Sequence, residues 1–532
     1  MFYKNKRMYA LAAVIVLALS IMVGCNENKR GDVGELGGAE QTNYPIQTNV
    51  KLKYWLRNSA PVGSYTDKSQ YPWFKEWQKQ TGVEMEFIFP SLGQDREQFN
   101  TLIASGDMPD IMEYTPSYLN GGPERALKEG YFAKLDDLMG YMPNFNSFLD
   151  NNKEYDDLLK ASEGYIALPG VVEPGHENKL LAVCGYMVRQ DWLDELNMEV
   201  PQTIDEIYLM LKAFKERGIE VPLCIPANDL GYGISGAFGA PFNFAPFFQE
   251  GGQVKFGRLE PGYKDFLTTI KKWYDEGLID PNFASLDQQM VDYAMTSGKS
   301  GIAFGYIGGQ MGTWINSSTV NDPNYNLTAI PYPTLNKGER VKFSTMQNSI
   351  SLYTSISAKS KYKELAARVL DYGFSEEGHM LFNFGIEGIT YDMIDGYPTY
   401  SDLLMKNPDG LSVAQAMQIN IRANSAAPSI QDHRYIEQYY QIPQQKNATD
   451  IWSDVDTREY TLAMINNTPE ESREITKLMS DINTYCDEMY LNFILGKESL
   501  DNYDKYIEQL KNLGIEKVIQ LNQDALDRFN AK

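Results

Sequence analysis

The chain has 532 residues, which at roughly 100–200 residues per domain suffices for two to four domains or one large two-lobed unit. Its net charge of −23 opposes the positive field on which nucleic-acid binding depends, and it disfavours adhesion of a free basic surface to anionic lipid. Three histidines leave little room for histidine-based metal sites or histidine-dependent catalysis.

The N-terminus predicts export. Three basic residues among the first seven precede an uncharged apolar run over 8–23, shorter than a comfortable membrane span and typical of a secretory signal peptide. The run ends in Gly-Cys, which resembles the lipobox of bacterial lipoproteins, whose cysteine carries two acyl chains. We predict a signal peptide over 1–24, a lipidated Cys25 and a flexible polar tether over 25–46. An ordinary signal peptide or one uncleaved helix, with Cys25 incidental, is the alternative.

Cysteine usage points away from a disulfide scaffold. Beyond Cys25 the chain has Cys184, Cys224 and Cys486, which allow at most one disulfide and show no zinc-site spacing. We expect buried thiols and no metal.

From residue 50 onward, strands and helices alternate. Segments 50–56 and 83–89 alternate apolar and polar side chains with period two, which predicts strands, and 109–114 predicts a third. Pro72 opens a helix between the first two strands, and 95–105 is a helix before the third. This βαβαβ order predicts an α/β fold with a parallel sheet, whose ligands bind at the carboxyl ends of the strands.

A second α/β unit follows the first. Its predicted elements are strands at 179–184, 185–189 and 300–305, and helices at 191–196, after Thr203, at 264–276 and after Ser499. Thr203 and Glu206 form a capping box, and the C-terminal helix has apolar residues spaced three and four apart. The second unit therefore ends in helices.

No catalytic or nucleotide-binding motif is complete. Gly298-Lys299-Ser300 lacks the upstream glycine of a phosphate loop, and His176-Glu177 lacks the second histidine of a zinc protease motif. A carboxylate pair for glycoside hydrolysis does not stand out among 71 acidic residues.

The chain resembles the extracellular solute-binding lipoproteins of carbohydrate ABC importers (family 1, the large Gram-positive and alginate-binding-like branch). The phrases that carry the resemblance are SGDMPDIM (105–112), RQDWLDELNMEVPQTIDEIYLMLKAFKE (189–216), YDEGLIDPNF (274–283), SGKSGIAFGYIGGQ (297–310) and FILGKESLDNYDKYIEQL (493–510). The resemblance implies a two-lobed, periplasmic-binding-protein-like (type II) fold, each lobe a mainly parallel sheet flanked by helices, joined by a hinge. The implied boundaries are 47–170 plus 340–392 for lobe one and 171–339 plus 393–532 for lobe two, with a first crossing near 166–169.

One departure from the family concerns calcium. Some relatives carry an acidic calcium loop after the helix that ends in a KAFKE-like sequence. Here 212–216 continues directly into 217–223, which has too few carboxylates for six to eight oxygen ligands. We predict no calcium there.

A sugar presents apolar C–H faces and many hydroxyls, so its site needs aromatic platforms with fixed donors and acceptors. The candidate ligand-binding residues lie at predicted strand ends and turns: Trp55, Arg57, Tyr114, Arg189, Asp191, Trp192, Tyr306, Trp314, Glu387 and Tyr391. The tryptophans equally suit a core position. Arg189 and Asp191 equally suit a structural ion pair across the hinge, and the segment 387–391 equally suits a surface loop.

We therefore expect a membrane-anchored, monomeric binding component of an ABC transporter on the outer face of the cytoplasmic membrane. It would capture an oligosaccharide between its lobes and deliver it to the transmembrane permease subunits, with no catalysis, no cofactor and no nucleic acid. Two alternatives stay open. One is a surface polysaccharide lyase or glycosidase, which would need a convergent acid–base pair. The other is a binding protein for a non-sugar ligand such as a peptide or siderophore, or one that serves a sensor.

Overall fold

The computed structural model describes residues 43–57, 61–119, 122–161, 164–243, 246–345, 349–422, 427–462, 465 and 467–531. The predicted signal peptide, Cys25 and most of the predicted tether lie outside the described residues. Within the described ranges, no helix combines the length and apolar composition that crossing a membrane requires.

Thirteen strands and twenty-one α-helices are described. The strands are β1 Lys51–Trp55, β2 Glu84–Ile88, β3 Ile111–Tyr114, β4 Leu168–Val172, β5 Cys184–Arg189, β6 Phe247–Glu250, β7 Gln253–Phe256, β8 Ile302–Tyr306, β9 Leu327–Ala329, β10 Ile350–Ile356, β11 Tyr391–Ile394, β12 Tyr397–Tyr400 and β13 Ser429–Gln431. The helices are α1 Pro72–Thr81, α2 Asp95–Ser105, α3 Gly122–Lys128, α4 Pro143–Asn151, α5 Lys153–Leu159, α6 Glu177–Leu181, α7 Gln190–Glu195, α8 Ile204–Glu216, α9 Ile234–Ala237, α10 Gly262–Asp275, α11 Gln288–Thr296, α12 Gly312–Ser318, α13 Lys363–Asp371, α14 Glu376–Phe384, α15 Asp402–Met405, α16 Val413–Asn420, α17 His433–Tyr439, α18 Pro443–Ser453, α19 Pro469–Ile494, α20 Tyr503–Asn512 and α21 Ile515–Asn530.

The first sheet has six strands in the order β13-β4-β10-β3-β1-β2. β1 pairs in parallel with β2, Leu52 opposite Met85, and in parallel with β3, Tyr54 opposite Ile111. The predicted parallel βαβαβ unit is therefore present. β10 runs antiparallel between β3 and β4, and β13 pairs in parallel with β4.

Helix α1 shows how the local sequence sets an element of the first lobe. Pro72 occupies the first turn, where its missing N–H needs no partner, and Gly82 ends the helix with a left-handed φ of 73°. A side chain at Gly82 would also collide with the backbone of Ile46, 2.4 Å from the position of its β-carbon. Phe74 and Trp77 are buried on the face that packs against the sheet.

The second sheet differs in detail from the expected mainly parallel one. Its strands have the order β8-β5-β9, and β5 is antiparallel to both neighbours. Leu223 bridges in parallel to Ile279 and to Ile302, so the strand positions inside the lobe do share one direction. β5, the first strand of this sheet along the chain, runs in the opposite direction.

The structure differs from the sequence predictions at three points of the connections. Residues 177–181 form helix α6, whereas an apolar strand was expected over 179–184, since periodicity cannot distinguish a short apolar run in a strand from one in a helix. The chain leaves the first sheet only after Val172, beyond the expected crossing near 166–169. Strand β13 lies in the segment expected in the second lobe, yet it extends the first sheet beside β4.

The C-terminal helices pack on the second lobe. Tyr490 and Phe493 of α19 and Tyr506 of α20 are buried in the same core as Phe214 of α8 and Phe266 of α10. A separate core cluster contains Val172, Trp314, Tyr435 and Trp452, and so joins the segments that pass between the sheets. These passages follow β4, β9 and β13.

Candidate functional site

A cavity of about 670 Å³ lies between the two sheets, within the range of roughly 300–1,000 Å³ usual for small-molecule pockets. On one side are the adjacent strands β4, β10 and β13, and on the other the end of β8 and the turn after it. Helices α6 and α17 close its flanks. The lining residues are Gly170, Val171, Val172, Leu180, Leu181, Val183, Tyr306, Gly308, Gly309, Gln310, Ser349, Ile350, Ser351, Ser429, Gln431, Tyr435, Ile436, Tyr439 and Tyr440.

The cavity wall is polar without being ionic. Among the residues that the structure describes on this wall, none carries a formal charge, while four are tyrosines, three are serines and two are glutamines. Such a wall offers aromatic faces and neutral hydrogen-bonding groups to a ligand.

Tyr306 is the sequence-predicted site residue that the structure places on this wall. It ends β8, and 45% of its surface is exposed. Its backbone N–H donates to Gln310 Oε1 at 2.9 Å, which orients a second lining side chain. Burial, followed by the influence of Cys184 and Asp229, raises the pKa of the Tyr306 phenol, so the hydroxyl stays protonated near neutral pH and can both donate and accept.

Sequence reasoning missed the tyrosines around α17. Tyr435 and Tyr439 stack with ring centroids 5.6 Å apart, and Tyr440 follows them. Burial raises the pKa of all three phenols. The sequence pattern that could have revealed them is the four-residue spacing of Tyr435 and Tyr439, which puts two aromatic rings on one helix face.

Trp55 and Tyr114 were predicted to be aromatic platforms for a sugar. Both are core residues, so they are not part of the proposed ligand-binding site. Trp55 is fully buried beside Phe99, and its Nε1–H donates to Gln98 Oε1 at 2.8 Å. Tyr114 is fully buried and its hydroxyl is 2.8 Å from Ser355 Oγ. Buried rings whose polar atoms are already paired have no face for a sugar.

Arg57 lies where the sequence predicted, beside the carboxyl end of β3. Its Nη1 donates to Thr115 Oγ1 at 3.4 Å, so the ends of β1 and β3 do meet. Arg57 does not line the cavity, and its buried Nε has no hydrogen-bond partner. It stays a candidate donor at the edge of the first sheet.

Arg189, Asp191 and Trp192 form a structural cluster within the second lobe. The Arg189 guanidinium donates to both Asp191 oxygens at 2.8 and 2.5 Å and to Asp322 at 3.1 Å. It also lies over the rings of Trp192, at 4.3 Å, and Tyr325, at 4.1 Å. Arg189 is only 3% exposed. Arg189 and Asp191 therefore form a structural ion pair, the alternative to a ligand-binding role. The pair lies inside one lobe and not across the hinge.

The remaining candidates also lie off the cavity wall. Trp314 is fully buried and donates to Asp292 Oδ1 at 2.9 Å. Tyr391 is buried against Phe384, with ring centroids 5.9 Å apart, whereas Glu387 is exposed. Residues 387–389 are therefore an exposed turn, and the chain is buried again from Thr390 into β11.

The turn after α8 does not fit a calcium ion. Residues 217–223 contain one carboxylate, Glu220, which pairs with Lys299 at 3.3 Å. One monodentate or bidentate carboxylate falls far short of the six to eight oxygens that calcium takes. Cys184, Cys224 and Cys486 are buried, as predicted, and are not joined to one another by a disulfide.

The family profile described as bacterial extracellular solute-binding protein matches residues 63–380. Similar relatives include the polygalacturonan/rhamnogalacturonan-binding protein YtcQ of Bacillus subtilis, 24% identical over 72% of this chain and 74% of that one. The fructooligosaccharide ABC transporter substrate-binding protein FusA of Streptococcus pneumoniae is 22% identical over 99% of both chains.

Solved structures share the fold. The alginate-binding protein AlgQ2 has a TM-score of 0.74 at 25% identity, covering 90% of this chain and 98% of its own. FusA in complex with kestose has a TM-score of 0.73 at 21% identity, covering 91% and 100%. This likeness confirms the two-lobed fold. Since the profile spans more than half of the sequence, the chain belongs to the family of bacterial extracellular solute-binding proteins.

Proposed function

We propose that this protein is the substrate-binding component of an ABC importer and that it captures a neutral oligosaccharide in the cavity between its sheets. The observation that carries the proposal is the composition of the described cavity wall, which combines four tyrosines with serine and glutamine side chains and lacks charge. Tyrosine rings pack on the apolar faces of sugar rings, and the neutral polar groups pair with hydroxyls that would be costly to bury unpaired.

The absence of charge on the described wall favours a neutral glycan over an acidic one. The relatives' names include both kinds of ligand, a polygalacturonan and a fructooligosaccharide. A uronic acid brings a carboxylate with every sugar ring, and burying that charge without a cationic partner is unfavourable. A neutral oligosaccharide imposes no such cost on this wall.

Transport follows from closure of the lobes. Because the cavity is lined from both sheets, a ligand contacts both lobes only when they are close together, and its preference for that state shifts the population toward it. The closed form would then dock on the permease as a monomer. A diacylated Cys25 would hold the protein at the outer face of the membrane, through two acyl chains where one is insufficient.

The surface-enzyme alternative fits less well. Glycoside hydrolysis uses two carboxyl groups that flank the scissile bond, and the described cavity wall has no Asp or Glu. The proposal therefore assigns binding without catalysis.

Calorimetric titration of the chain from residue 26 onward tests the proposal. We expect one neutral oligosaccharide of a panel to bind with a Kd near the micromolar range, about −8 kcal/mol, and oligogalacturonates to bind at least about 100-fold more weakly. Tighter binding of the acidic series would overturn the neutral assignment, and a peptide as the preferred ligand would overturn the sugar assignment. Chromatography after prolonged incubation should recover the glycan uncleaved.

A further inference from the structure

We propose that Glu173, His176 and His433 form a binding site for a divalent transition-metal ion, with Zn²⁺ the best match, on the connection between the two lobes. One ligand atom from each of these side chains lies within 4.8 Å of the others. Within the described ranges, no other group of three or more His, Cys, Asp or Glu side chains meets that condition. The prediction of no metal, made from the scarcity of histidine, is revised by this proposal.

The two imidazole rings lie face to face. A shared ion must lie in the plane of each ring, so one ring has to turn about its Cβ–Cγ bond before both can bind it. The rings of His176 and His433 stack with centroids 3.8 Å apart and planes 4° from parallel. Nδ1 of His433 lies 2.7 Å from Oε2 of Glu173. Two of the chain's three histidines and a carboxylate therefore share one small volume, although the two histidines lie 257 positions apart in the sequence.

Strand pairing holds the ligands in place. Val172 lies opposite Gln431 in the parallel pair of β4 and β13, so the next residues on both strands leave the sheet together. The Glu173 N–H donates to the Gln431 carbonyl at 2.9 Å, and the His433 N–H donates to Glu173 Oε2 at 2.9 Å. His176 stands at the start of α6, three residues after Glu173.

The donor set suits Zn²⁺. Two imidazole nitrogens and one carboxylate oxygen are a known three-ligand set for this ion, with bonds of about 2.0–2.2 Å and a water in the fourth position. Calcium prefers oxygen ligands alone, so two nitrogen donors argue against it. The side chains of Glu173 and His433 are 28% and 26% exposed, which leaves a path for an ion from solvent.

The charges around the cluster are balanced. Arg434, the nearest cation on the same helix, donates to both oxygens of Asp432 at 2.9 and 3.1 Å, so its charge is compensated. Asp432 also accepts from Nε2 of His379 at 2.8 Å, which keeps the third histidine out of the cluster. Asp432 therefore takes the hydrogen bonds of Arg434 and His379, whereas Glu173 faces Nδ1 of His433.

The cluster lies directly behind the cavity wall. Val172 precedes Glu173, Gln431 lies two residues before His433 and Tyr435 two residues after it, and all three line the cavity. A bound ion would join the passage after β4 to the passage after β13. It would thereby restrain both segments that carry the lobes relative to each other.

Cobalt(II) absorption and Zn²⁺ calorimetry on the untagged, chelator-treated chain from residue 26 onward test the site. We expect one ion per chain and visible absorption bands typical of a cobalt(II) ion with a low coordination number. His176→Ala, His433→Ala and Glu173→Gln should each weaken binding at least about tenfold, with His379→Gln, at the histidine outside the cluster, binding as the unmodified chain does.

Circular dichroism accompanies each titration, so that loss of binding is compared only among folded proteins. If His433→Ala fails to fold, Glu173→Gln decides whether the cluster binds the ion, because this substitution removes the charge and keeps the volume of the side chain. The proposal is overturned if the unmodified protein binds no ion up to about 1 mM, or if Glu173→Gln and His176→Ala bind as tightly as the unmodified protein does.

Discussion

The ring of Tyr439 packs so closely on Gly308 that a β-carbon built on the glycine would stand 2.4 Å from the ring's Cε1 and 2.7 Å from its hydroxyl oxygen. Gly308 follows β8 of the second sheet, whereas Tyr439 ends the helix that follows β13 of the first. Both residues line the cavity. The absence of a side chain at position 308 therefore sets how near the aromatic flank comes to the turn.

We expect Gly308→Ala to weaken glycan binding at least about tenfold, because contacts under 3 Å force the Tyr439 ring out of its position on the cavity wall. Gly309→Ala is the matched control. At that position the nearest neighbouring atom outside the adjacent residues, Tyr306 Cβ, is 4.0 Å away, so the methyl group has room. Calorimetry with the best glycan of the panel measures both, and equal affinities of the two variants would contradict the role of Gly308.

Tyr306→Ala should abolish measurable glycan binding while the thermal unfolding midpoint stays close to that of the unmodified protein. The residue is 45% exposed on the cavity wall, so it adds little to the core but offers a ring to the ligand. Tyr306→Phe separates the ring from the hydroxyl and should retain part of the affinity. Tyr293→Ala, at a tyrosine 61% exposed and off the wall, is the control. Unchanged affinity in Tyr306→Ala would remove Tyr306 from the site.

Arg422→Met should destabilise the first lobe by about 3–5 kcal/mol, because it leaves a buried carboxylate without its cation. Arg422 Nη2 donates to Glu113 Oε2 at 2.5 Å, and both residues are at most 5% exposed. Urea unfolding followed by tryptophan fluorescence measures the change. Arg458→Met removes an exposed ion pair with Asp456 and should leave the midpoint unchanged. A similar small effect for Arg422→Met would show that the buried pair contributes little.

Asp371 should make the protein less stable as the pH rises from about 4 to about 6. Burial raises the pKa of this carboxyl to about 6, against hydrogen bonds from the Phe145 and Asn144 backbone and the Asn144 side chain. The folded protein therefore holds a proton that the unfolded chain releases near pH 3.8, and deprotonation above that window costs on the order of 3 kcal/mol.

Urea midpoints of the unmodified protein and Asp371→Asn, compared at intervals across that pH range, check the expectation. The asparagine does not titrate, so the stability advantage of the unmodified protein over the variant should shrink as the pH rises. Parallel pH profiles for the two proteins would show that Asp371 has an ordinary pKa in the folded state.

Local sequence patterns were sufficient for much of the fold. The alternation in β1 and β2, the proline before α1 and the capping box of α8 each act through neighbouring residues, and the structure has these elements within a few positions of the prediction. Tyr306 could be placed because it follows a short buried strand and precedes a glycine turn. The phrases that resemble solute-binding lipoproteins supplied the two-lobed architecture.

Only the tertiary structure revealed that the predicted aromatic platforms are buried. Trp55 and Tyr114 stand at the carboxyl ends of parallel strands, where ligands often bind, but the sheet is covered on both faces and helix α2 supplies Gln98 and Phe99 to Trp55. The strand pattern itself cannot say which side chains at its end are covered by a later helix.

The sequence by itself determined the alternating strands and helices and, through the phrases that resemble the family, the class of protein. Tertiary structure alone decided which residues share the cavity and the metal-ligand cluster, because β13 adds to the first sheet beside β4, more than 250 positions earlier in the chain. That pairing brings His433 to Glu173 and the tyrosines of α17 to the end of β8. A contact between segments so distant is specified by the packing of the whole molecule, and no local pattern encodes it.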